Sequence, residues 1–340
     1  MQYEINLIKS LFTPLETEIL HSEQWSVTAK TYSSGVASLT IHNSLGYVEV
    51  LPFMGQIIWD ANFCGHSLRM ESMFSEPKPA TLIEDTYGCF AFHSGLLAAG
   101  CPGEGDNHPL HGEFACAPMD SAKLIVSNDA IRVVSCYEYL KGFGNHYLVN
   151  PAVTLRQDSS MFDIELRVQN LSKYASMPLQ YMCHMNYAFV PNGKITQNLP
   201  VEAFKLRESV PAHVKPTDNW LKINADIRAG NRDANSLEGA EEFDPEIVYF
   251  ADAVDEMTKE AILELDSQNG TVFETRFSTE SFPVVTRWIL HNADQKVAAF
   301  ALPGTSRPEG REAARQAGTL IELAPGEVRN FKVTTGIKEK

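Results

Sequence analysis

The sequence predicts an all-β protein, built as a large antiparallel β-sandwich with few short helices. Period-two alternation of apolar and polar residues dominates the clear segments, and turn signals separate these segments roughly every 8–15 residues. Such spacing favours a sandwich over units in which helices connect parallel strands. Because sandwiches often exceed about 200 residues, we expect residues 1–340 to form one domain, with about the first 45 residues as an accessory hairpin or extension.

Four turn signals each separate two alternating segments. The clearest is Asn269-Gly270, between 262–265 and 272–277, since an Asn-Gly pair favours a tight turn with positive φ. The other three turns lie at Asn128-Asp129, at 158–160 between 153–156 and 162–169, and at Pro325-Gly326 between 319–323 and 331–335.

Helical signals are few. Residues 256–260 could form a single turn, and residues 308–316 predict a short helix that Gly318 ends. The polar stretch 227–242 is rich in Gly, Asn and acidic residues, so we expect a long loop there.

Composition excludes some classes of partner. The chain has 28 Lys and Arg against 43 Asp and Glu, and the net charge of -15 repels phosphate backbones and anionic lipids. We therefore expect neither nucleic acid nor a membrane as a partner. No signal peptide and no run of about 18 apolar residues is present, and six dispersed cysteines fit reduced thiols, so a cytoplasmic protein is expected.

Three segments concentrate residues suited to chemistry. One is a stretch rich in Gly, acid and His with too few apolar residues for a core, and such loops often carry sites. The other two are strand-like but contain His, Asn or Trp. In chain order the segments are 92–113, 179–187 with His184 and Asn186, and 282–292 with Trp288. Taken alone, each has an ordinary explanation as a core or loop residue, so spacing by itself assigns no function.

Together, these motifs resemble the aldose 1-epimerase (galactose mutarotase) superfamily, in particular a divergent branch of it. Leu110-His111-Gly112, after Gly95-Leu96-Leu97, is similar to the sugar-binding loop of that family. His184-Met185-Asn186 on an apolar strand is similar to its second histidine motif, and 302–327 resembles the C-terminal signature of the branch. The matches run in a consistent order from about residue 50 to 335, and they imply a galactose-mutarotase-like supersandwich.

The resemblance also implies a reaction that needs no cofactor. A mutarotase interconverts the anomers of an aldose: a base takes the proton of the anomeric hydroxyl while an acid protonates the ring oxygen. It implies His184 as the acid, since an ordinary histidine pKa of roughly 6.5 suits proton transfer near neutrality. It implies His111 as a ligand of the ring oxygen or a neighbouring hydroxyl. Further expected sugar ligands are His108, Asn186 and, for the apolar face of the ring, Trp288 and Trp59.

The sequence departs from the family pattern where the base is expected. The family has a glutamate in a Leu-Glu-Pro segment, but here Leu302 precedes Pro303. Met54 stands where the family often has an arginine, and Glu113 stands where the branch usually has one. Candidate replacement bases are, in order, Glu113, Glu309, Asp106 and Glu104.

Three functions therefore stay open, each with a small-molecule sugar as the partner. The first is an aldose 1-epimerase-like isomerase. The second is a non-catalytic carbohydrate-binding protein on the same scaffold, which the loss of the glutamate favours. The third is a metal-dependent sugar isomerase, because His108, His111 and Glu113 lie within six residues. Pairing of two chains along an edge strand of the sandwich would give a homodimer.

Overall fold

Two antiparallel β-sheets make up most of the computed structural model, which describes residues 2–211 and 214–338. The strands are β1 (Tyr3–Leu7), β2 (Thr17–His21), β3 (Ser26–Thr31), β4 (Ala37–His42), β5 (Gly46–Leu51), β6 (Ile57–Phe63), β7 (His66–Ser67), β8 (Ala91–Leu96), β9 (Ser121–Val126), β10 (Ala130–Leu140), β11 (His146–Arg156), β12 (Met161–Asn170), β13 (Met177–Met185), β14 (Lys194–Gln197), β15 (Lys205–Leu206), β16 (Glu246–Ala251), β17 (Glu260–Asp266), β18 (Val272–Ser278), β19 (Val284–His291), β20 (Lys296–Gly304), β21 (Ile321–Leu323) and β22 (Val328–Ile337). The α-helices are α1 (Asp218–Arg228) and α2 (Arg311–Gln316), and short 3-10 turns lie at Lys9–Leu11, Ile83–Thr86, Val201–Ala203, Ala240–Glu242 and Val254–Glu256.

The two sheets pack face to face. The first has nine strands in the order β1-β9-β10-β11-β12-β22-β18-β17-β14. The second has thirteen, in the order β15-β16-β19-β20-β13-β8-β6-β5-β4-β3-β2, with β21 added to β13 and β7 to β6. Aromatic side chains of both sheets meet in the core between them, as where Tyr187 beside β13 lies with its ring centroid 5.4 Å from that of Phe273 on β18. This arrangement confirms the predicted all-β antiparallel sandwich with few short helices.

Three of the four predicted turns join paired strands. β9 pairs with β10, β11 with β12, and β17 with β18, as predicted. The fourth pairing is wrong: β21 pairs with β13 of the second sheet, whereas β22 pairs with β12 and β18 of the first. The turn at Pro325-Gly326 therefore carries the chain from one sheet to the other. A turn signal reports a local change of direction and carries no information about which strand lies alongside.

The helices differ from expectation in detail. α2 begins at Arg311 and ends before Gly318, within the predicted segment. The helical turn expected at 256–260 lies earlier, since Glu260 already begins β17. The sequence did not predict α1, whose first turn is capped by the Thr217 side chain. Only three residues of α1 are buried, so its apolar periodicity is too short to recognise.

The first 45 residues contribute to both sheets. β1 pairs with β9 at an edge of the first sheet, and β2, β3 and β4 form an edge of the second. In the described parts of the chain, neither helix has the length and apolar character needed to cross a bilayer.

Strand pairing in the middle of the second sheet sets up two different environments. β8 and β13 run antiparallel, with His184 opposite Phe92. Alternation along these strands turns His184 and Phe92 to the outer face of the sheet. Their neighbours His93 and Tyr181 point inward, where the Tyr181 ring lies 5.0 Å from Phe331 of the first sheet. The outer face carries the candidate site.

Candidate active site

A cavity of about 470 Å³ lies on the outer face of the second sheet, above β13, β16, β19 and β20. Its volume is in the range typical of small-molecule sites. The groups able to carry protons or bind a polar ligand include Tyr87, His111, His184, Glu246 and Trp288. Apolar side chains form most of the remaining wall.

The cavity brings together the two histidines that the sequence motifs single out. The ring centroids of His111 and His184 are 4.8 Å apart, and the rings are nearly perpendicular. The His184 ring stacks on Phe92 with a centroid distance of 4.5 Å. The loop after β8 carries His111, whose Nδ1 lies 3.0 Å from the hydroxyl of Ser94. Each imidazole is therefore held by a neighbour on β8 and turned towards the same space.

The loop reaches the cavity through an unusual backbone conformation. His111 has a φ of 61°, in the left-handed region that non-glycine residues rarely occupy. Its N–H donates to the carbonyl of Gly100, and its own carbonyl accepts from the N–H of Gly95 at 2.9 Å. These two backbone hydrogen bonds hold His111 in a position that would otherwise be strained.

The surroundings of His184 decide which ring nitrogen carries the proton. Asn186 donates from Nδ2 to the carbonyl of Cys89 at 3.0 Å, and its side chain raises the pKa of His184. His184 Nδ1 and Asn186 Oδ1 are both buried, and neither has a hydrogen-bond partner of good geometry within residues 2–211 and 214–338. Because an amide oxygen can only accept, we assign the proton of neutral His184 to Nδ1. Nε2 is then the accepting nitrogen, and the Tyr87 hydroxyl lies 3.3 Å from it.

Burial keeps His184 neutral. Removal from water lowers its pKa to about 3, although Asn186 opposes the change. The same cause lowers the pKa of His93, on the inner face of β8, to about 3. The pKa of His184 therefore lies below the ordinary histidine value on which the expected acid role was based. At neutral pH, His184 offers an accepting Nε2 to an arriving hydroxyl.

Two neutral buried histidines should make the fold sensitive to acid. In the unfolded chain their pKa values return to about 6.5, so between pH 6.5 and 3 the unfolded state binds protons that the folded state does not. Stability must therefore fall as the pH falls through this range, by about 1 kcal/mol per pH unit for each histidine. Urea unfolding at pH 7, 6 and 5 measures this decline. His93→Gln should reduce the contribution of the two histidines to this decline by about half, because His184 remains, and an unchanged decline would contradict this explanation.

The buried carboxylate of the cavity belongs to Glu246, a residue that sequence reasoning missed. Its Oε1 accepts from the Arg207 guanidinium at 2.6 Å, and its Oε2 accepts from Trp288 Nε1 at 2.7 Å. Both oxygens are thus engaged and oriented by charged or polar donors. The one signal in the sequence is that this acid stands directly before an apolar run, residues 247–251.

Glu113 and Glu309, the first candidates for a replacement base, do not line the cavity. Glu113 accepts hydrogen bonds from the backbone N–H groups of Leu96 and Leu97, each at 3.1 Å, and from the Tyr147 hydroxyl at 2.8 Å. It therefore fastens the end of β8 instead of facing a ligand. Glu309 accepts from the Ser209 hydroxyl and lies 3.7 Å from Arg307.

Other expected residues also find partners elsewhere. His108 contacts the carbonyl of Pro109 at 2.8 Å through Nδ1. Asp106 accepts backbone N–H groups at 103 and 312, which ties the loop to the start of α2. Glu104 is exposed in the same loop. Trp59 is buried in a separate apolar cluster, with the Arg69 guanidinium 4.6 Å from its ring. Of the expected aromatic ligands, Trp288 lines the cavity and Trp59 does not.

The position of the missing family glutamate lies in the cavity wall. Leu302 is buried on β20 and lines the cavity, so an apolar side chain stands where the resemblance implies the base. Met54 is partly buried against the cluster that contains Trp59. Within residues 2–211 and 214–338, no three His, Cys, Asp or Glu side chains are grouped to hold a metal ion, so the metal hypothesis gains no ligand set there.

Comparison with solved structures places this geometry in a known fold. A candidate aldose 1-epimerase of Klebsiella pneumoniae superposes with a TM-score of 0.80 at 15% identity, over 99% of this chain and 91% of that one. A galactose mutarotase-like protein of Clostridium acetobutylicum gives 0.61 at 14% identity, over 94% and 100%. A candidate aldose 1-epimerase of Escherichia coli K12 gives 0.56 at 17% identity, over 92% and 100%.

No curated protein matches the chain in sequence. A family model does, over residues 33–337, and its description is a domain of unknown function (DUF4432). At such low identity the solved structures bear on the fold alone, which is that of the galactose mutarotase-like proteins, as predicted. This chain, with its galactose-mutarotase-like fold, belongs to the DUF4432 family.

Proposed function

We propose that the protein interconverts the α and β anomers of an aldose in this cavity. The observation that supports the proposal most is the pair of imidazoles, His111 and His184, with ring centroids 4.8 Å apart in one cavity. The fold shared with candidate aldose 1-epimerases adds support.

Several side chains of the cavity support a pyranose as the ligand. The partly exposed Trp288 ring supplies a flat apolar surface for one face of the sugar, and its Nε1 is already satisfied by Glu246. Glu246 and Arg207 present an acceptor and a donor to ring hydroxyls. His111, held through Ser94, reaches the ring oxygen or a neighbouring hydroxyl.

Ring opening requires two proton transfers. The anomeric hydroxyl loses a proton, the bond between C1 and the ring oxygen breaks, and the ring oxygen gains a proton. Closure on the opposite face of the carbonyl reverses these steps and yields the other anomer. His184 takes up the anomeric proton at Nε2, the nitrogen that faces the Tyr87 hydroxyl.

The test is anomer exchange on a panel of free aldoses. D-glucose, D-galactose, D-xylose, L-fucose and L-rhamnose are each followed by NMR exchange between their anomeric signals, with and without protein. We expect acceleration over buffer for at least one sugar. Exchange at the buffer rate for every sugar would reject the proposed activity.

A second function, binding of a sugar without catalysis, is favoured by one specific observation. Leu302 places an apolar side chain in the cavity wall where the family resemblance implies a catalytic carboxylate. In that case the indole fluorescence of Trp288 would respond to sugar although anomer exchange stays at the buffer rate. The same panel therefore separates the two functions.

A further inference from the structure

We propose that Tyr87 is a second catalytic residue of this cavity, and that Tyr87 and His184 together exchange the two protons of ring opening. The proposal rests on the function proposed above. It gives Tyr87 the proton transfer to the ring oxygen, while His184 takes the transfer that the missing family glutamate would otherwise serve.

Tyr87 occupies the centre of the candidate site. It follows the 3-10 turn at Ile83–Thr86, and its ring centroid lies 6.1 Å from that of His184, 5.8 Å from Trp288 and 6.2 Å from His111. Its hydroxyl oxygen is 3.3 Å from His184 Nε2. A hydroxyl donor and an accepting nitrogen therefore sit side by side on the cavity wall.

This spacing suits the two reacting oxygens of a sugar. The anomeric oxygen and the ring oxygen are bonded to the same carbon, so a ligand that presents C1 to the pair can reach both groups at once. When it does, the contact between Tyr87 and His184 gives way to one contact from each residue to the substrate. Positioned groups of this kind act within ordinary hydrogen-bond reach.

Both members of the pair are uncharged before the reaction. Burial holds the pKa of Tyr87 well above its usual value, so the phenol keeps its proton. Burial also keeps His184 neutral, with Nδ1 turned to Asn186. The cavity thus contains a neutral donor beside a neutral acceptor, an arrangement that avoids the cost of a buried unpaired charge.

The proton balance closes within the pair. The anomeric O–H gives its proton to His184 Nε2. The bond between C1 and the ring oxygen breaks, its electrons stay on the ring oxygen, and that oxygen takes the Tyr87 proton. The contact between Tyr87 and His184, 3.3 Å long in the structure, then re-forms, and the imidazolium returns a proton from Nε2 to the Tyr87 phenolate. The sugar is now the open aldehyde, the protein is unchanged, and closure runs in reverse.

Glu113 and Glu246 are less suited to this role. Glu113 is bound to backbone N–H groups outside the cavity, and both oxygens of Glu246 already accept hydrogen bonds. Leu302 leaves an apolar wall at the position of the family base. A neutral tyrosine and histidine pair can work beside such a wall, which would disfavour a charged base.

Tyr87→Phe tests the assignment because it keeps the ring and removes only the hydroxyl. On the sugar that wild type accelerates most, we expect kcat to fall on the order of 10²–10⁴-fold. KM should change by less than about threefold, because the loss lies in the chemical step. Tyr47→Phe is the matched control: it removes a hydroxyl that donates to Asp60 at 2.7 Å, outside the cavity, and should leave kcat within about twofold of wild type.

A second measurement reports how many protons are transferred in the rate-limiting step. In mixtures of H₂O and D₂O, the wild-type rate should depend on the deuterium fraction along a curve, as two concerted transfers require, and Tyr87→Phe should give a straight line. Tyr87→Phe with kcat within threefold of wild type would overturn the role of Tyr87 while leaving the proposed activity standing. A wild-type protein that accelerates no sugar would overturn both.

Discussion

Replacing His184 with glutamine is expected to lower kcat for anomer exchange by on the order of 10²–10⁴-fold. Glutamine retains a polar side chain near the Tyr87 hydroxyl, but an amide cannot take up and return a proton at neutral pH. The loss should therefore appear in kcat, while KM changes little because Glu246, Arg207 and Trp288 remain in place. NMR exchange rates at several sugar concentrations separate the two parameters.

His93→Gln is the matched control for that variant. His93 follows Phe92 on β8, so it lies directly beside the pair that Phe92 forms with His184 of β13. Burial lowers the pKa of His93 to about 3, as it does for His184. Its ring faces the core and contacts the Tyr181 hydroxyl at 2.8 Å instead of lining the cavity. This variant should lose stability and keep its exchange rate. A His184→Gln protein that keeps more than about a tenth of the wild-type kcat would contradict the role of His184.

How far the sequence predicts the fold depends on the range of the interactions involved. The hairpin at Asn269-Gly270 was predictable because the turn residues and the alternation on both sides are local. The placement of β21 and β22 in different sheets was not, because β13, which pairs with β21, and β12, which pairs with β22, lie more than a hundred residues earlier along the chain. α1 was not predicted for a different reason: a helix that buries only three residues shows little apolar periodicity in its sequence.

The candidate site shows the same difference between local signals, which the sequence reveals, and contacts between distant segments, which it does not. His111 and His184 were identified through local motifs, and the structure brings them into one cavity. Glu113 and Asp106 were selected as acids near His111, but backbone N–H groups engage both: Asp106 accepts from Gly103 in its own loop, and Glu113 accepts from Leu96 at the end of β8. Tyr87 was not identified from the sequence, because it reaches the cavity from a separate turn and no local sequence pattern marks it.

A single methyl group next to His111 should disable the site. Gly112 has a φ of 81°, and a Cβ there would lie 2.2 Å from the carbonyl oxygen of Ala98 and 2.4 Å from that of Gly95. The backbone would have to move, and with it His111, whose carbonyl receives the N–H of Gly95. For Gly112→Ala we expect the free energy of unfolding to fall by roughly 2–3 kcal/mol. The exchange rate should fall by about 10²-fold, since displacement of a positioned group by about 1 Å can cost that much.

Gly65→Ala separates the two causes of that loss. Gly65 also has a φ of 81°, but nothing lies within 4 Å of the position that its Cβ would occupy. Alanine there incurs only the cost of a left-handed backbone, about 1–2 kcal/mol, and should leave the exchange rate unchanged because the residue lies in the exposed turn between β6 and β7. The two variants carry the same backbone strain, but only in Gly112→Ala does the added Cβ clash with neighbouring backbone atoms. Urea unfolding and anomer exchange of both variants therefore separate the effect of the clash from that of the strain. If both variants lost the same activity, the close packing of the loop against β8 could not be what holds His111 in place.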